Sequence, residues 1–289
     1  MRVFSVPSSA PFLRTLIAAL IDGRLVDGFE ARTHPERLAQ ATLYLPTRRA
    51  GRMARDVFLD VLDTDAVLLP RIFTLGSIDE DELAFAEPER LSGSDGLDLP
   101  PTLNELQRRL LLAQMIAVWA KGITPPDPTQ APLVVGGPAS TLALADDLAR
   151  LMDDMVTRKV DWRALDALVP ESLDTYWQLT LRFLNVARDV WPDILAAYGR
   201  IEPAARRDLL IEAEAARLTR HHEGPVIAAG STGSMPTTAK FLHAIAGLPQ
   251  GAVVLPGLDT DLDDEAWQLI GGAGDARDPG LAGCRASRP

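Results

Sequence analysis

Apolar residues follow two different spacings along the chain, and the changes between these spacings divide it into three parts. In residues 1–99, short apolar runs of strand length alternate with stretches whose apolar residues lie three or four positions apart. The predicted strands are Val3–Val6, 41–46 and 66–75, and the predicted helices begin at Phe12, with Ser9 as its cap, and at Thr47. Strands joined by helices through short connections indicate a parallel sheet with crossover helices.

Residues 100–222 have helical spacing almost throughout. Thr102 followed by Glu105 has the pattern of a capping box and predicts a helix that ends near residue 121. A further helix is predicted from an apolar face formed by Leu142, Ala145, Leu148, Leu151, Met152 and Met155. The longest run extends from Leu173 to Tyr198, with Pro192 as a predicted break or kink. We expect its aromatic side chains to form a packed core rather than a cofactor pocket.

Residues 223–270 return to strand and helix. The predicted strands are 226–229 and 251–259, separated by a helix from about Pro236 to Ala246. The helical part would then be an insertion in an α/β domain whose two sections flank it. Residues 271–289 are rich in glycine and lack apolar periodicity, which predicts a disordered, atypical tail.

The composition places the chain among folded globular proteins, since 47% of its 289 residues are hydrophobic and 24% are charged. No apolar stretch has the length of a membrane helix, and the first residues lack the plan of a signal peptide, so we expect a cytoplasmic protein that does not interact with membranes. The only cysteine, Cys284, excludes a disulfide framework within the chain and a multi-cysteine metal site. A net charge of −11 argues against nucleic-acid binding over the whole surface.

An apolar run followed by a glycine- and hydroxyl-rich turn, "VIAAGSTGSMPTTAKFL", has the layout of a phosphate-binding turn before a helix. A P-loop needs a second glycine followed by lysine and a hydroxyl residue, and Met235 stands where that glycine belongs. The loop after the first strand has neither glycine nor lysine. We interpret these two loops as a degenerate nucleotide site consisting of Ser8, Ser9, Ala229, Gly230, Ser231, Thr232 and Gly233. Backbone N–H groups of residues 231–234 would retain some anion affinity, or else the segment is only a tight structural turn.

The stretch "PTRRAGRMARDVF" combines arginines with the predicted start of a helix. Arg48, Arg52 and Arg55 fall on one helix face, and Met53, Val57, Phe58 and Val61 are expected on the other. A DNA phosphate would meet the first-turn N–H groups together with an arginine. The predicted DNA-binding residues are Thr47, Arg48, Arg49, Arg52 and Arg55. An ordinary solvated helix face is the alternative.

The acidic stretches do not indicate a catalytic or metal site. The run 259–265 has acids spaced as in a calcium loop, but Asp264 and Ile270 replace the required glycine and glutamate, so we expect these acids to start a helix. The acids of 79–82 are expected on the surface. No triad or carboxylate pair stands out, and we predict no catalytic residue.

Several long segments together resemble one family. "FSVPSSAPFL", "ATLYLPTRRAGRMARDVF", "LLPRIFTLGSIDEDELAF" and the segment beginning "VIAAGSTGSMPTTAKFLHAIAGLPQ" resemble the N-terminal region of the AddB family in its alphaproteobacterial form, over residues 1–270. Members of this family pair with an AddA-type subunit in a helicase–nuclease that processes DNA ends in double-strand break repair and recombination. The N-terminal half resembles a superfamily 1 helicase with a decayed motor, and the C-terminal half carries a nuclease with an iron–sulfur cluster.

The resemblance implies an α/β fold, with a P-loop-helicase-like parallel sheet formed by 1–99 and 223–270 and an inserted α-helical subdomain at 100–222. Ala229 and Gly230 stand where such helicases have the Asp-Glu pair that handles magnesium and water. The segment "PTRRA" stands where they contact single-stranded DNA. The resemblance therefore implies a scaffold that binds DNA ends and the AddA-type subunit without hydrolysing ATP.

Family members continue well beyond the length of this chain, and the composition changes abruptly near Gly271. We therefore expect a truncated or frameshifted product. No cofactor is expected in this chain, because the family's cluster and its nuclease magnesium belong to the C-terminal part. Two alternatives remain: a small anion- or nucleotide-binding α/β enzyme that uses the 230–234 turn, and a nonfunctional truncated remnant.

Overall fold

A computed structural model of the protein describes residues 1–75, 99–123, 137–166, 175–259 and 261–270. The strands in this part of the chain are β1 (Val3–Val6), β2 (Thr42–Leu45), β3 (Arg71–Thr74), β4 (Val226–Ala229) and β5 (Gly251–Pro256). The helices are α1 (Phe12–Ile21), α2 (Arg48–Leu62), α3 (Glu105–Lys121), α4 (Pro138–Arg158), α5 (Arg163–Asp166), α6 (Thr175–Ala197), α7 (Pro203–Arg220), α8 (Pro236–Gly247) and α9 (Asp264–Ile270), with a short 3-10 helix at Pro35–Gln40. The acidic run 79–82, the tail 271–289, Leu173 and the side chains of Tyr176 and Trp177 lie outside this description.

The five strands form one parallel sheet in the order β1-β5-β4-β2-β3. This confirms the predicted α/β fold with a parallel sheet. The chain divides into two compact units, one formed by residues 1–86 and 211–289 and the other by residues 87–210. The first unit contains the sheet, and the described part of the second is helical. The boundary falls within α7, whose residues 203–210 belong to the second unit and 211–220 to the first.

Both faces of the sheet are covered by helices, as is usual for parallel sheets. Leu43 and Leu45 of β2 belong to the core that includes residues of α1 and α2. Tyr44 points to the other face, since side chains alternate along a strand. Its ring meets the ring of Phe241 of α8 edge-on, with 5.0 Å between the centroids. The uninterrupted burial of β2 and β4 follows from this double covering.

The starts of α1 and α2 are formed differently. The helix predicted to begin at Thr47 begins at Arg48, and Thr47 is its cap, because the Thr47 hydroxyl accepts a hydrogen bond from the N–H of Ala50 (3.1 Å). The prediction that Ser9 caps α1 is wrong. The capping position is Pro11, no side chain accepts a hydrogen bond there, and the N–H of Ala10 closes a turn onto the carbonyl of Pro7 (3.0 Å). The prediction that Met53 lies on the apolar face of α2 is also wrong, since this side chain is 47% exposed.

In the second unit, the capping box of α3 lies two residues later than predicted. Asn104 accepts from the N–H of Gln107 (2.8 Å), and the side chain of Gln107 accepts from the N–H of Asn104. Thr102 cannot fill this role because it is held in an isolated bridge to Ile201, and the chain does not turn until after buried Leu103.

The other helices of this unit agree better with the predicted apolar spacing. Ala145, Leu148, Met152 and Met155 of α4 are buried, as predicted, whereas Leu142 and Leu151 are half-buried. Of the predicted break or kink at Pro192, the break is wrong, because α6 continues through this residue. Phe183 and Trp191 of α6 pack with Leu112 of α3 and Leu148 of α4 in the core of the unit.

Candidate nucleic-acid interface

The carboxyl ends of the five parallel strands lie along one edge of the sheet, so the loops that follow them share this edge. The loops that follow β1, β2 and β4 approach one another closely at Gly230, just after β4. A Cβ atom placed on Gly230 would lie 3.3 Å from Cε1 of Phe12 and 3.3 Å from Cδ of Pro46. Ser8 lies instead beside the end of β5, where a Cβ on Gly257 would be 3.8 Å from the Cβ of Ser8.

The neighbouring strands β2 and β4 form a topological switch point. The chain leaves β2 through α2 toward the β3 edge and leaves β4 through α8 toward the β1 edge. In open α/β sheets, ligands bind in the crevice outside the carboxyl ends of such a strand pair. The segment starting at Thr47 and the turn 230–233 flank this crevice, so the structure brings these two predicted sites to one place.

The turn after β4 is tightly folded on itself. Gly230 and Gly233 have φ values of +80° and +66°, a conformation that favours glycine. The N–H of Gly230 donates to the carbonyl of Val254 (3.0 Å), and that of Gly233 donates to the hydroxyl of Ser231 (3.3 Å). These two N–H groups are therefore already used within the chain.

The chemistry of the two predicted nucleotide loops is neutral. Residues 229–239 and 5–13 contain no charged side chain. Phosphoryl transfer depends on positioning and on stabilising the developing negative charge, usually through a lysine and a metal ion. Neither loop offers such a group. Among the described residues, no group of three or more histidine, cysteine, aspartate or glutamate side chains is arranged to hold a metal ion.

The acids of 259–265 start a helix, as expected. The carboxylate of Asp263 accepts from the N–H of Ala266 (2.8 Å) at the beginning of α9. Asp259 lies before this helix, and its carboxylate accepts from the N–H of Asp261 (2.9 Å) in a separate turn.

The arginines of α2 lie on its exposed side, and its first turn contains no acidic residue. At about 100° per residue, Arg48, Arg52 and Arg55 fall within an arc of roughly 60°. Arg49 lies outside this arc, on the side of Asp56. In the described part of the chain, the guanidinium groups of Arg49, Arg52 and Arg55 form no hydrogen bond or ion pair with another side chain. Their charge is therefore directed to solvent.

A polar cleft of about 700 Å³ in the second unit was not predicted. The charged residues lining it are Glu105, Arg108, Arg109, Asp146, Arg150 and Asp153. Its arginines are already paired with carboxylates: Arg108 with Asp153 at 2.9 Å, Arg109 with Asp146 at 2.7 Å and Arg150 with Asp147 at 3.1 Å. The cleft therefore has the chemistry of a structural ion-pair network. The sequence feature that could have indicated this network is Arg108, a charged residue at a core position of α3.

Glu202 is a buried carboxylate in this network, and its cation Arg108 is buried as well. Its second carboxylate oxygen lies 2.6 Å from Nη2 of Arg108, and the indole N–H of Trp191 donates to its first oxygen. Burial raises the pKa of Glu202, although the attraction of Arg108 opposes this effect. Desolvation of the carboxylate is the stronger of the two.

Comparison of the chain with protein-family models and with curated proteins found no match. In the part of the chain that the structure describes, no helix has both the length and the apolar character needed to cross a bilayer.

Proposed function

We propose that this chain is an N-terminal, AddB-type scaffold that binds DNA through α2 and does not hydrolyse ATP. It would act with an AddA-type subunit in processing DNA ends for double-strand break repair and recombination. The observation that carries the proposal is the exposed arginine arc Arg48, Arg52 and Arg55, which begins at a helix N-terminus beside the switch point of the sheet.

The spacing of these arginines suits a chain of phosphates. From Arg48 to Arg55 the helix rises about 10 Å. A DNA strand in a duplex carries one phosphate per roughly 3.4 Å of axis, so several phosphates come within reach of the arc. The N–H groups in the first turn of α2 and the positive end of its dipole favour an anion at the same place.

The amino-acid composition of the two predicted nucleotide loops supports the proposal that the chain does not hydrolyse ATP. Residues 5–13 and 229–239 offer no charged side chain to stabilise a triphosphate or to hold its metal ion. Titration calorimetry with ATP and magnesium should therefore give no heat of binding above that of dilution. Stoichiometric binding would instead favour a nucleotide-binding enzyme that uses the 230–234 turn.

The DNA assignment is tested by fluorescence anisotropy with a labelled single-stranded oligonucleotide at several salt concentrations. Changing Arg48, Arg52 and Arg55 together to Gln should weaken binding on the order of 10- to 100-fold near 0.1 M salt and lower the salt slope by about 2. Arg49→Gln should have a smaller effect, because this side chain lies outside the arc.

A matched control removes the same charge elsewhere. Arg158, Arg163 and Arg182 are exposed, and changing all three to Gln gives the same net charge as the α2 triple variant. We expect this control to bind DNA almost as the unchanged protein does. Equal losses in both triple variants would mean that only net charge matters and would reject α2 as the interface.

The partner assignment needs a separate measurement. Co-purification with an AddA-type subunit, in the presence of nuclease to remove bridging DNA, should recover a complex of the two chains. No complex with this subunit would contradict the partner assignment and leave the DNA titration as an independent result.

A further inference from the structure

Arg14 is an exposed arginine in the first turn of α1, and the predicted DNA-binding residues do not include it. In the described part of the chain, its guanidinium forms no hydrogen bond or ion pair with another group. The positive end of the helix dipole lies at this turn and disfavours a cation there. Helix α2 has the same feature, since its first turn contains Arg48 and Arg49 and no acidic residue. Residues that act against local stability in this way are expected at functional sites.

The first turns of α1 and α2 lie at the same edge and on the same face of the sheet. Helix α1 follows β1 and α2 follows β2, so both helices begin at the carboxyl ends of parallel strands. Leu16 of α1 and Phe58 of α2 belong to one core, and the two helices contact each other. Neighbouring packed helices have axes about 8 to 10 Å apart. Arg14 is therefore placed about one helix spacing to the side of the arginines in α2.

We propose that the DNA strand bound by α2 continues across the start of α1, where Arg14 contacts one of its phosphates. This inference rests on the proposed DNA binding through α2. A strand in a duplex carries one phosphate per roughly 3.4 Å of axis, so one helix spacing corresponds to about three phosphates. The bound strand thus passes from the arginine arc of α2 along the sheet edge to α1, and its phosphates meet arginines at two separate places.

Carboxylates limit how far this surface extends along the sheet edge. The segment that follows β5 carries Asp259, Asp261 and Asp263, and all three are exposed. Strand β5 lies between β1 and β4, on the side of the sheet away from β3. Because carboxylates repel phosphates, the strand extends from α2 to α1 and does not continue past the end of β5.

Fluorescence anisotropy with the full chain and a labelled single strand of about 12 nucleotides tests this contact. Arg14→Gln should weaken binding about 2- to 5-fold near 0.1 M salt and lower the salt slope by about 0.7, the value for one phosphate contact on a single strand. Arg14→Lys should restore most of the affinity, because lysine still meets a phosphate as a point charge.

Lys240→Gln is the matched control. Lys240 is an exposed cation in the same unit, but it lies on α8, which covers the other face of the sheet. Its removal should leave the affinity almost unchanged, and equal losses in the two single variants would reduce the effect to net charge and overturn the inference. An unchanged affinity of Arg14→Gln, beside a loss in the α2 triple variant, would overturn the inference and leave the proposed function intact. No loss in either of these variants would reject both.

Cross-linking locates the strand directly, in a background in which Cys284 is changed to Ser. The probe is the same oligonucleotide with a disulfide-activated tether on a central phosphate, at a concentration that saturates binding. Arg14→Cys should form a disulfide with the probe faster than Lys240→Cys does, after correction for the reactivity of each thiol toward the tether reagent without DNA. Equal corrected rates at the two positions would show that the bound strand does not pass over the start of α1 and would overturn the inference.

Discussion

The hydroxyl of Tyr44 donates a hydrogen bond to Oε1 of Glu214, although the two residues are 170 positions apart in the chain. Both side chains are buried, Tyr44 in the middle of β2 and Glu214 in α7. Arg217 completes the network by donating from Nε and Nη2 to the two oxygens of Glu214, each at 2.7 Å. Burial, together with the negative charge of Glu214, raises the pKa of Tyr44 well above its usual value, so the phenol remains a donor throughout the neutral range.

Removal of this hydroxyl should loosen α7 from β2. We expect Tyr44→Phe to lower the free energy of unfolding by about 1 to 2 kcal/mol, the cost of leaving a buried oxygen with one donor fewer. Arg217 still satisfies the carboxylate, which limits the loss. Hydrogen exchange of the amides in β2 and residues 211–220 should accelerate accordingly. Tyr198→Phe is the control, because Tyr198 is 58% exposed and should tolerate the change; equal exchange rates in the two variants would refute the role of the Tyr44 hydroxyl.

Arg108 and Arg109 are neighbours with similar partners but different burial. The side chain of Arg108 is 9% exposed beside Glu202 and Asp153, whereas that of Arg109 is 42% exposed beside Asp146. Arg108→Met should cost about 3 to 5 kcal/mol, since it leaves Glu202 as a buried charge without a cation. Arg109→Met should cost less than about 1 kcal/mol, because a partly exposed ion pair contributes little.

Denaturant unfolding followed by tryptophan fluorescence measures this difference. Trp119, Trp162, Trp177 and Trp191 lie in residues 87–210, so the signal reports mainly on the helical unit. A lower midpoint is expected for Arg108→Met only. Similar midpoints for both variants would mean that burial does not distinguish the two ion pairs.

Strands β2 and β4 were predictable because burial on both faces of the sheet makes each a short apolar run. The apolar run 66–75 predicted a longer strand than β3, which contains only Arg71–Thr74. The start of α3 was missed by two residues, since Thr102 and Asn104 both suit a cap and only the tertiary bridge to Ile201 decides between them. The exposed arc of α2 follows from helical spacing alone. The contact between Tyr44 and Glu214 does not, because no local pattern relates residues so far apart.

The raised pKa of Glu202 leads to an unusual pH dependence. The carboxyl binds its proton more tightly in the folded chain than in the unfolded chain, so its contribution to stability is greatest below the unfolded pKa of about 4.3 and is lost as the pH rises through the folded pKa. Glu202→Gln removes this titration while keeping an oxygen that accepts from the indole of Trp191. The difference in unfolding free energy, unchanged protein minus variant, should therefore increase as the pH falls from 7 toward 4. A difference that decreases over this range would show that Arg108 outweighs burial and that the pKa is lowered.

Gly251 opens β5 directly after the turn that follows α8, and the backbone leaves no room there for a side chain. A Cβ atom on Gly251 would lie 1.8 Å from the carbonyl oxygen of Ile245 and 2.8 Å from the Cβ of Leu248. Because Ile245 and Leu248 are themselves buried, the turn cannot shift without disturbing the core, and Gly251→Ala should cost roughly 3 kcal/mol or more. Gly247→Ala is the matched control, since a Cβ there meets nothing within 4 Å, and it should be neutral or stabilise by up to about 1 kcal/mol. Thermal unfolding followed by circular dichroism distinguishes the two, and a Gly251→Ala variant as stable as the control would show that the turn can rearrange freely.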